Sequence, residues 1–408
     1  MKLLGDAQRE VLDAMTRLDV EQVDVADAVG RVTAEPCVSA VLVPPFSNSA
    51  MDGFAVRAAD VAKTPVALAV IEDVPAGSVP TRPVGPGHAT RIMTGAPMPE
   101  GADAVVKVED TRVDADDSVT ILVGVGGGTN VRAAGGDVAP GDVVVGSGVR
   151  LTSRHAASLA SAGIRPKVSK IPTVVVMSTG DEVVEPHIAD LAPGKIRDTN
   201  RVILVSALRE LGVDVIDFGI VGDDAGELSD AYRRAADAAD AVISTGGVSM
   251  GDYDYVKQVL GDMGSVDFWK VAMQPAKPFA FGSINGVPLF GLPGNPVSTF
   301  VAYEQFVRPA LLHMMGATAL FRPRIVAVMG EDVSTSIEKE VFVRVMLATD
   351  TDGRFVAVKS GGQDSNVLSA LAQAEAFAVV PVGTGSLSAG DPVTLEMFTW
   401  DENRGFDD

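Results

Sequence analysis

The chain has 408 residues, with 54 acidic and 33 basic side chains and a formal net charge of −21. This length predicts two to four domains of about 100–200 residues each. A chain this acidic repels phosphate backbones, so we expect neither DNA nor RNA as a partner. An anionic small-molecule ligand would need local lysines, arginines, backbone N–H groups or a bridging metal to overcome the same repulsion.

The cysteine and histidine content excludes several kinds of site. The single cysteine, Cys37, allows neither an intrachain disulfide nor a cysteine-based zinc site. It lies in the apolar stretch EPCVSAVLVP and is interpreted as structural. The four histidines lack metal-ligand spacing. The N-terminus MKLLGDAQREVLDAM carries charge too early for a signal peptide, and no apolar run approaches ~18 residues. We therefore expect a cytoplasmic protein without a membrane segment.

The N-terminal elements are predicted from periodicity and turn residues. Apolar residues recur on one helical face over 5–18, and a second short helix is predicted at 24–30. Between about 41 and 145, short apolar runs alternate with glycine, proline and aspartate, which predicts a β-rich module. Residues 152–162 predict a further helix.

Strands and helices alternate in the middle third of the chain, which indicates a parallel sheet covered on both faces. The predicted strands are 173–178, 213–221 and 240–245, and the predicted helices are about 199–211, 225–238 and 253–261. The dipeptide Asn285-Gly286 then predicts a hairpin between 277–283 and 287–292. A long helix is expected from Pro296 towards Met314. The last ninety or so residues return to short strands, which predicts a small β-barrel or sandwich.

Four loops of the middle third follow predicted strands: 178–182, 222–224, 244–252 and 292–298. Ligands bind beyond the carboxyl ends of such strands, so these loops should converge. Two of them predict anion cradles. Gly246 and Gly247 after Thr245 can turn backbone N–H groups towards a phosphate. In the other loop, Asn295 as helix cap and Pro296 as first helical residue would leave N–H groups facing an anion.

Acidic residues share this sheet edge and predict a metal between them and the ligand. They are Asp181, Glu182, Asp223, Asp252 and Asp254. Mg²⁺ is the natural choice because it binds through one or two carboxylates plus substrate phosphates. Alternatively, some of these residues cap helices, as Asp198 is expected to do and Asp223 could. About half of the group is assigned to the metal.

Two lysines near the hairpin, Lys270 and Lys277, supply positive charge. Lys277 stands between Ala276 and Pro278, which favours a positioned ammonium. The alternative is a solvated lysine at the start of a strand.

Together these residues resemble the molybdopterin molybdotransferases, the MoeA-type enzymes related to the E-domains of gephyrin and its plant counterpart. The similarity covers nearly the whole chain. Its most specific motifs are PPFSNSAMDGFAV, RIMTGAP, STGDE, DTN, GGVSMG and GLPGNPVS.

The resemblance implies an α/β multidomain fold and a homodimer. The expected parts are a discontinuous linker domain (1–40 and 140–167), a β-rich lid (41–139), a three-layer molybdopterin-binding α/β domain (168–318) and a C-terminal β-barrel (319–402). It also implies a magnesium-dependent transferase. Molybdenum from molybdate enters adenylylated molybdopterin, with release of AMP. Molybdopterin adenylyltransferase would be the upstream partner.

The resemblance also implies roles for particular residues. The catalytic set would be Asp52, Thr94, Glu182, Asp223, Asp254, Lys270 and Lys277, with the metal on Glu182, Asp223 and Asp254. Substrate would contact Asp137, Thr179, Gly180, Gly246, Gly247, Ser249, Pro278, Gly294, Asn295, Ser298, Arg344 and Ser365. Asp52, Thr94 and Asp137 would act from the lid of the opposing subunit.

One position departs from the family pattern. The family commonly has Lys-Pro-Gly-Lys-Pro where this chain has Gln274-Pro275-Ala276-Lys277-Pro278. A glutamine can donate a hydrogen bond, but charge-assisted bonds are roughly twice as strong as neutral ones. The pull of position 274 on molybdate should therefore be weaker here.

Three other functions compete with this one. An adenylyltransferase would resemble the α/β domain alone, and the lid and barrel argue against it. A receptor-clustering scaffold of the gephyrin kind relies on domains and linkers that the sequence lacks. A nicotinamide-nucleotide amidase would need an amidase half, and none is visible.

Overall fold

The computed structural model describes residues 1–114, 116–247, 259, 261 and 264–398. The chain begins with helix α1 (Leu4–Asp13), which buries Leu4, Ala7 and Val11. This helix ends before the predicted 18, because the Leu18 N–H donates to the Met314 carbonyl and the chain turns away. The helix predicted at 24–30 is a single 3-10 turn, Val25–Ala28. Two short strands flank this turn in the sequence, β1 (Val20–Gln22) before it and β2 (Cys37–Val38) after it.

The predicted β-rich module is a six-stranded sheet, called here the N-terminal sheet, with strand order β7-β4-β6-β5-β9-β8. Phe54, Val56, Leu68 and Ile121 are among its buried residues. A two-stranded pair, β3 with β10, lies beside it. The strands of this region are β3 (Asn48–Ser49), β4 (Gly53–Val56), β5 (Val66–Val74), β6 (His88–Ile92), β7 (Ala104–Lys107), β8 (Thr111–Val113), β9 (Ser118–Ile121) and β10 (Val131–Arg132).

After the N-terminal sheet, the chain pairs again with the two strands that precede that sheet. Strand β11 (Val143–Val145) pairs with β2, and β12 (Lys167–Ser169) pairs with β1. Helix α2 (Ser153–Ser161) lies between them, and its burial of Leu159 contributes to a small core with Cys37. These pairings place the N-terminal sheet as an insertion between two halves of one small unit.

The middle third forms the expected α/β sheet, with order β16-β13-β17-β21-β20-β18. Its first four strands are parallel, and β20 runs antiparallel to both of its neighbours, β21 and β18. The predicted Asn285-Gly286 turn has φ values of 52° and 84°, as a tight hairpin turn requires. The elements are β13 (Thr173–Thr179), β14 (Val183–Val184), β15 (Ile196–Arg197), α3 (Asn200–Leu211), β16 (Asp214–Val221), α4 (Ala225–Ala238), β17 (Ala241–Thr245), β18 (Gly264–Lys270), β19 (Met273–Gln274), β20 (Pro278–Ile284) and β21 (Val287–Leu292). The predicted helix at 253–261 lies largely outside the described residues.

Helices cover both faces of this sheet. One face packs on α1, α3 and the long helical segment after β21, and the other packs on α4. The long segment is α5 (Pro296–Ala302), a π-helical turn (Tyr303–Val307) and α6 (Arg308–Met314). Within the described ranges, no helix is long and apolar enough to cross a membrane.

The C-terminal strands close into a five-stranded barrel, which decides between the predicted barrel and sandwich. The closing order is β24-β25-β22-β28-β26, with β26 pairing back to β24. Phe342 and Phe377 of the barrel belong to the same core as α1 and α3, so barrel and α/β sheet pack together. The elements are β22 (Arg324–Met329), β23 (Val333–Ser334), β24 (Glu340–Thr349), β25 (Phe355–Lys359), α7 (Leu368–Ala372), β26 (Ala376–Val380), β27 (Ser386–Leu387) and β28 (Pro392–Met397).

Candidate active site

A cleft opens where β13, β17 and β21 end, as parallel-sheet geometry predicts. Four of the predicted site residues line it: Thr179, Glu182, Gly246 and Gly294. Its other lining residues are Ser178, Val183, Ile196, Arg197, Asp198, Thr199, Asn200, Thr245 and Pro296.

The glycine loop after β17 has the left-handed backbone that its sequence predicts. Gly246 and Gly247 have φ values of 96° and 65°. A Cβ at Gly246 would lie 2.4 Å from the Thr179 carbonyl oxygen. Only glycine therefore fits between this loop and β13. Gly180 has a φ of 132°, and the Glu182 carboxylate folds back over it, 2.6 Å from a Cβ placed there.

The second predicted cradle is only partly as expected. Asn295 takes the cap position and Pro296 the first helical position, but the Asn295 side chain makes no capping hydrogen bond among the described residues. The Val297 N–H donates to the Ser365 carbonyl at 3.1 Å, so this donor at the helix start is not free as predicted. The barrel thus supplies the backbone partner, one residue before the buried Ser298.

Arg344 holds the loop that carries Ser365. Its Nη2 donates to the carbonyls of Gly362 at 2.6 Å and Asp364 at 3.2 Å. The side chain is fully buried, and burial lowers the pKa of its guanidinium. Its Nε and Nη1 atoms have no hydrogen-bond partner among the described residues. A buried cation with two unused donors is costly unless an anion satisfies it.

The loops that carry Asp181 and Asp223 are joined by hydrogen bonds, as their place at one sheet edge predicts. The Asp181 N–H donates to the Asp223 carboxylate at 3.3 Å, and the Asp223 N–H donates to the Asp181 carboxylate at 3.2 Å. Asp224, rather than Asp223, caps α4. Asp198 caps the start of α3 as expected, by accepting from the Arg201 N–H at 3.0 Å.

A metal site is not formed by the described residues alone, since no group of three histidine, cysteine or acidic side chains in these ranges could hold an ion. The predicted ligand Asp254, the neighbouring Asp252 and the predicted substrate residue Ser249 lie outside the described residues. The predicted trio of Glu182, Asp223 and Asp254 therefore stays a prediction.

Both lysines lie at one corner of the sheet with exposed side chains. Lys270 ends β18 opposite Pro278, and the Val271 N–H donates to the Lys277 carbonyl at 2.8 Å. The backbone at Lys277 is thus fixed, whereas its ammonium is solvated. Gln274 accepts a 3.3 Å hydrogen bond from the Lys339 ammonium, so the barrel brings a cation to the position where the family commonly has one.

Asp52 and Thr94 are joined on the N-terminal sheet. One Asp52 carboxylate oxygen accepts from both the N–H and the hydroxyl of Thr94, each at 2.7 Å, and these bonds lower the pKa of Asp52. Asp137 is exposed, and its N–H donates to Val43. In the part of the chain that the structure describes, none of these three residues hydrogen-bonds to the α/β domain.

Comparison with known proteins agrees with this architecture along the chain. Residues 4–163 match the family model described as the MoeA N-terminal region, domains I and II. Residues 175–313 match a probable molybdopterin-binding domain, and residues 326–398 match the MoeA C-terminal region, domain IV.

Several relatives that match over nearly their full length are named molybdopterin molybdenumtransferase. A molybdopterin molybdenumtransferase of Haemophilus influenzae is 37% identical over 98% of this chain and 99% of its own. Another from a Nostoc species is 36% identical over 97% and 93%. The crystal structure of a molybdopterin biosynthesis MoeA protein from Pyrococcus horikoshii is 33% identical, superposes with a TM-score of 0.79, and is covered over 99% of its length. The chain belongs to the molybdopterin molybdenumtransferase family.

Family membership decides against an adenylyltransferase made of the α/β domain alone, because the N-terminal and C-terminal regions match as well. It also draws attention to Asn200, to which the sequence assigned no role although it stands in the DTN motif. Asn200 Nδ2 donates to Thr245 Oγ1 and to the Gly294 carbonyl, both at 2.8 Å. It therefore ties the two predicted cradles together. Its place at the start of a helix after a loop was the available signal.

Proposed function

We propose that this chain inserts molybdenum into molybdopterin, as a transferase of molybdenum cofactor biosynthesis. Full-length membership of the molybdenumtransferase family supports this, as does the cleft at the carboxyl ends of β13, β17 and β21. In the finer form of the proposal, the substrates are molybdate and adenylylated molybdopterin, and AMP is released.

The buried Arg344 is the observation that carries the proposal. Molybdate is a dianion, and Arg344 Nε and Nη1 are buried donors without a partner among the described residues. An anion that reached them would form charge-assisted hydrogen bonds. We propose that Arg344 binds molybdate together with Ser249, Lys277, Pro278, Ser298 and Ser365. The bond between Val297 and Ser365 supports this, because it brings the barrel loop to the helix start.

The loops that line the cleft are proposed to bind the rest of the substrate. Thr179, Gly180, Gly246, Gly247, Gly294 and Asn295 would contact the pterin and its phosphates. Positive φ at Gly246 and Gly247 supports this role, because such a backbone turns N–H groups to one side. Lys270 would add positive charge near the same corner.

Mg²⁺ is proposed to bind Glu182, Asp223 and Asp254. The chemistry of these oxygen donors fits, because Mg²⁺ takes only one or two carboxylates beside substrate phosphates. The hydrogen bonds between Asp181 and Asp223 support the site, because they hold together the loops that carry Glu182 and Asp223. When bound, the ion would neutralise charge on the adenylate phosphates. The chain's own part is to orient Asp223 through the Asp181 N–H and to hold the Glu182 carboxylate over Gly180.

A homodimer is proposed to complete the site. Asp52, Thr94 and Asp137 of a second copy would face the cleft, since within one chain they make no hydrogen bond to the α/β domain in the described ranges. Exposed apolar side chains on β2, on β11 and between β2 and β3 support association: Val38, Val41, Leu42, Phe46 and Val143. Cytoplasmic location and an upstream molybdopterin adenylyltransferase belong to the same proposal and rest on the family.

Molybdate-dependent release of AMP from adenylylated molybdopterin tests the function. Wild type should release AMP only with molybdate and yield molybdenum-loaded cofactor. Arg344→Met should need at least about tenfold more molybdate, since a hydrogen bond to a charged group contributes about 1.5–3 kcal/mol. Arg344→Lys keeps the charge and should lose less. Arg354→Met is the matched barrel control, because its guanidinium pairs only at the surface with Asp352. AMP release that ignores molybdate would contradict the proposal.

A further inference from the structure

Two buried polar atoms in the cleft wall lack a hydrogen-bond partner among the described residues. They are Ser178 Oγ, near the carboxyl end of strand β13, and Asn200 Oδ1, at the start of α3. Buried polar groups are nearly always satisfied, so each exception needs an explanation. A ligand bound in the cleft would explain both atoms at once.

The hydrogen bonds around Asn200 fix which end of its amide faces the cleft. Thr245 Oγ1 donates its proton to the Pro293 carbonyl at 3.2 Å, so it offers only a lone pair to Asn200. The Gly294 carbonyl can only accept. Both neighbours therefore require the NH₂ group, and both of its hydrogens are used. The amide oxygen is left buried with no donor.

The chemistry of that oxygen limits what it can bind. An amide oxygen accepts hydrogen bonds and cannot donate them. Fully ionised molybdate and phosphate have no hydrogen to offer, so the anionic parts of a ligand cannot satisfy it. A heterocyclic N–H or a sugar hydroxyl can. Ser178 Oγ, in the wall of the same cleft, can accept or donate, as such a group needs.

We propose that Ser178 and Asn200 form a subsite that binds the N–H or O–H groups of the organic part of the substrate, the pterin ring or the ribose. The identity of the substrate rests on the proposed function. Asn200 also holds Gly294 and Thr245, which flank the two predicted cradles. The subsite therefore lies next to the loops proposed for the phosphates, and it orients the molecule between them.

Ser178→Ala gives a clean test, because the hydroxyl has no protein partner in the described ranges to lose. Titration calorimetry on the full chain would use three probes separately: AMP, neopterin and molybdate. The affinity for AMP or for neopterin should fall roughly three- to tenfold, the effect of one neutral hydrogen bond. The affinity for molybdate and the melting temperature should not change. Loss for AMP assigns the subsite to the nucleoside side of the substrate, as the ribose alternative requires, and loss for neopterin assigns it to the pterin.

Ser169→Ala is the matched control, because Ser169 Oγ is equally buried and unpartnered but lies in β12, away from the cleft. It should bind all probes as wild type does. Asn200→Ala should reproduce the affinity loss, with a lower melting temperature because two hydrogen bonds go.

Unchanged AMP and neopterin affinities in Ser178→Ala, no binding of either by wild type, or a loss for molybdate alone would each overturn the subsite. If Ser178→Ala lowers the probe affinity as expected but the wild type never releases AMP with molybdate, the proposed function is overturned and the subsite is not.

Discussion

The Asp52 carboxylate is held by the N–H and then by the hydroxyl of Thr94, and both bonds lower its pKa. Thr94→Val removes the hydroxyl bond and keeps the N–H bond, so the pKa of Asp52 should rise part of the way to its ordinary value. If Asp52 acts as a carboxylate, the acid limb of the pH–rate profile should move to higher pH in this variant. Thr94→Ser should keep the wild-type limb. An acid limb that is the same in all three proteins would show that Asp52 does not control it.

Gly246 offers a second test at this scale. An alanine there combines a φ of 96° with a Cβ 2.4 Å from the Thr179 oxygen. Gly246→Ala should lower the free energy of unfolding by roughly 2 kcal/mol or more. Gly294→Ala is the matched control in the same cleft, since its Cβ would meet no atom within 4 Å. Urea denaturation of both variants measures the difference, and equal losses would show that the close approach at Gly246 is unimportant.

Residue positions were predictable where a local rule fixes them. Positive φ at Gly246 and Gly247, the Asn295-Pro296 helix start and the Asp198 cap all follow from neighbouring residues. The capture of the Val297 N–H by Ser365 could not be predicted, because it joins residues far apart in sequence. The same holds for the burial of Arg344.

At the scale of elements, the helical segment after β21 contains the least expected feature. Its sequence predicts one plain helix, yet residues Tyr303–Val307 form a π-helical turn that buries Glu304 and Gln305 in the core. Gln305 donates to Glu396 at 2.7 Å, and Gln8 donates to Gln305 at 3.1 Å. Glu304 pairs with Arg322 through both oxygens, each at 2.8 Å. Barrel, helix and α1 are thus held together by buried polar groups.

This network should contribute strongly to stability. Glu304→Gln leaves the Arg322 guanidinium without its counterion, and breaking a buried pair costs about 3 kcal/mol or more. Asp230→Asn breaks the pair with Arg233, in which both side chains are more than half exposed, and should cost less than about 1 kcal/mol. Urea denaturation compares them. Similar losses in the two variants would mean that the pair does not fix the barrel.

The bounds of elements with a clear apolar pattern were predicted to within one residue. These elements are β13, α3, β16, α4 and β17. Elements set by distant partners were not. Helix α1 ends early because Leu18 bonds to Met314, and the π-helical turn exists because its polar residues find partners on the barrel.

At the scale of the whole molecule, the α/β sheet with the barrel and the N-terminal sheet have separate hydrophobic cores. The α/β sheet and the barrel share one core that includes Phe342 and Phe377. The N-terminal sheet has separate cores and joins the chain through strands β2 and β11. The sequence placed the loops at one sheet edge, but it took the resemblance to suggest that Asp52 acts on another copy.

The central claim is that molybdenum insertion takes place in a site built from the cleft of one chain and the N-terminal sheet of a second. Asp52→Asn and Glu182→Gln should each lower molybdate-dependent AMP release by ~100-fold or more. Mixing the two variants under conditions that allow subunit exchange should restore activity, because some hybrid sites then combine an intact Asp52 with an intact Glu182. At full exchange of equal amounts, half of the dimers are hybrids, so about a quarter of wild-type activity is expected. Full activity in either single variant, or no recovery in mixtures whose exchange is verified, would contradict the account.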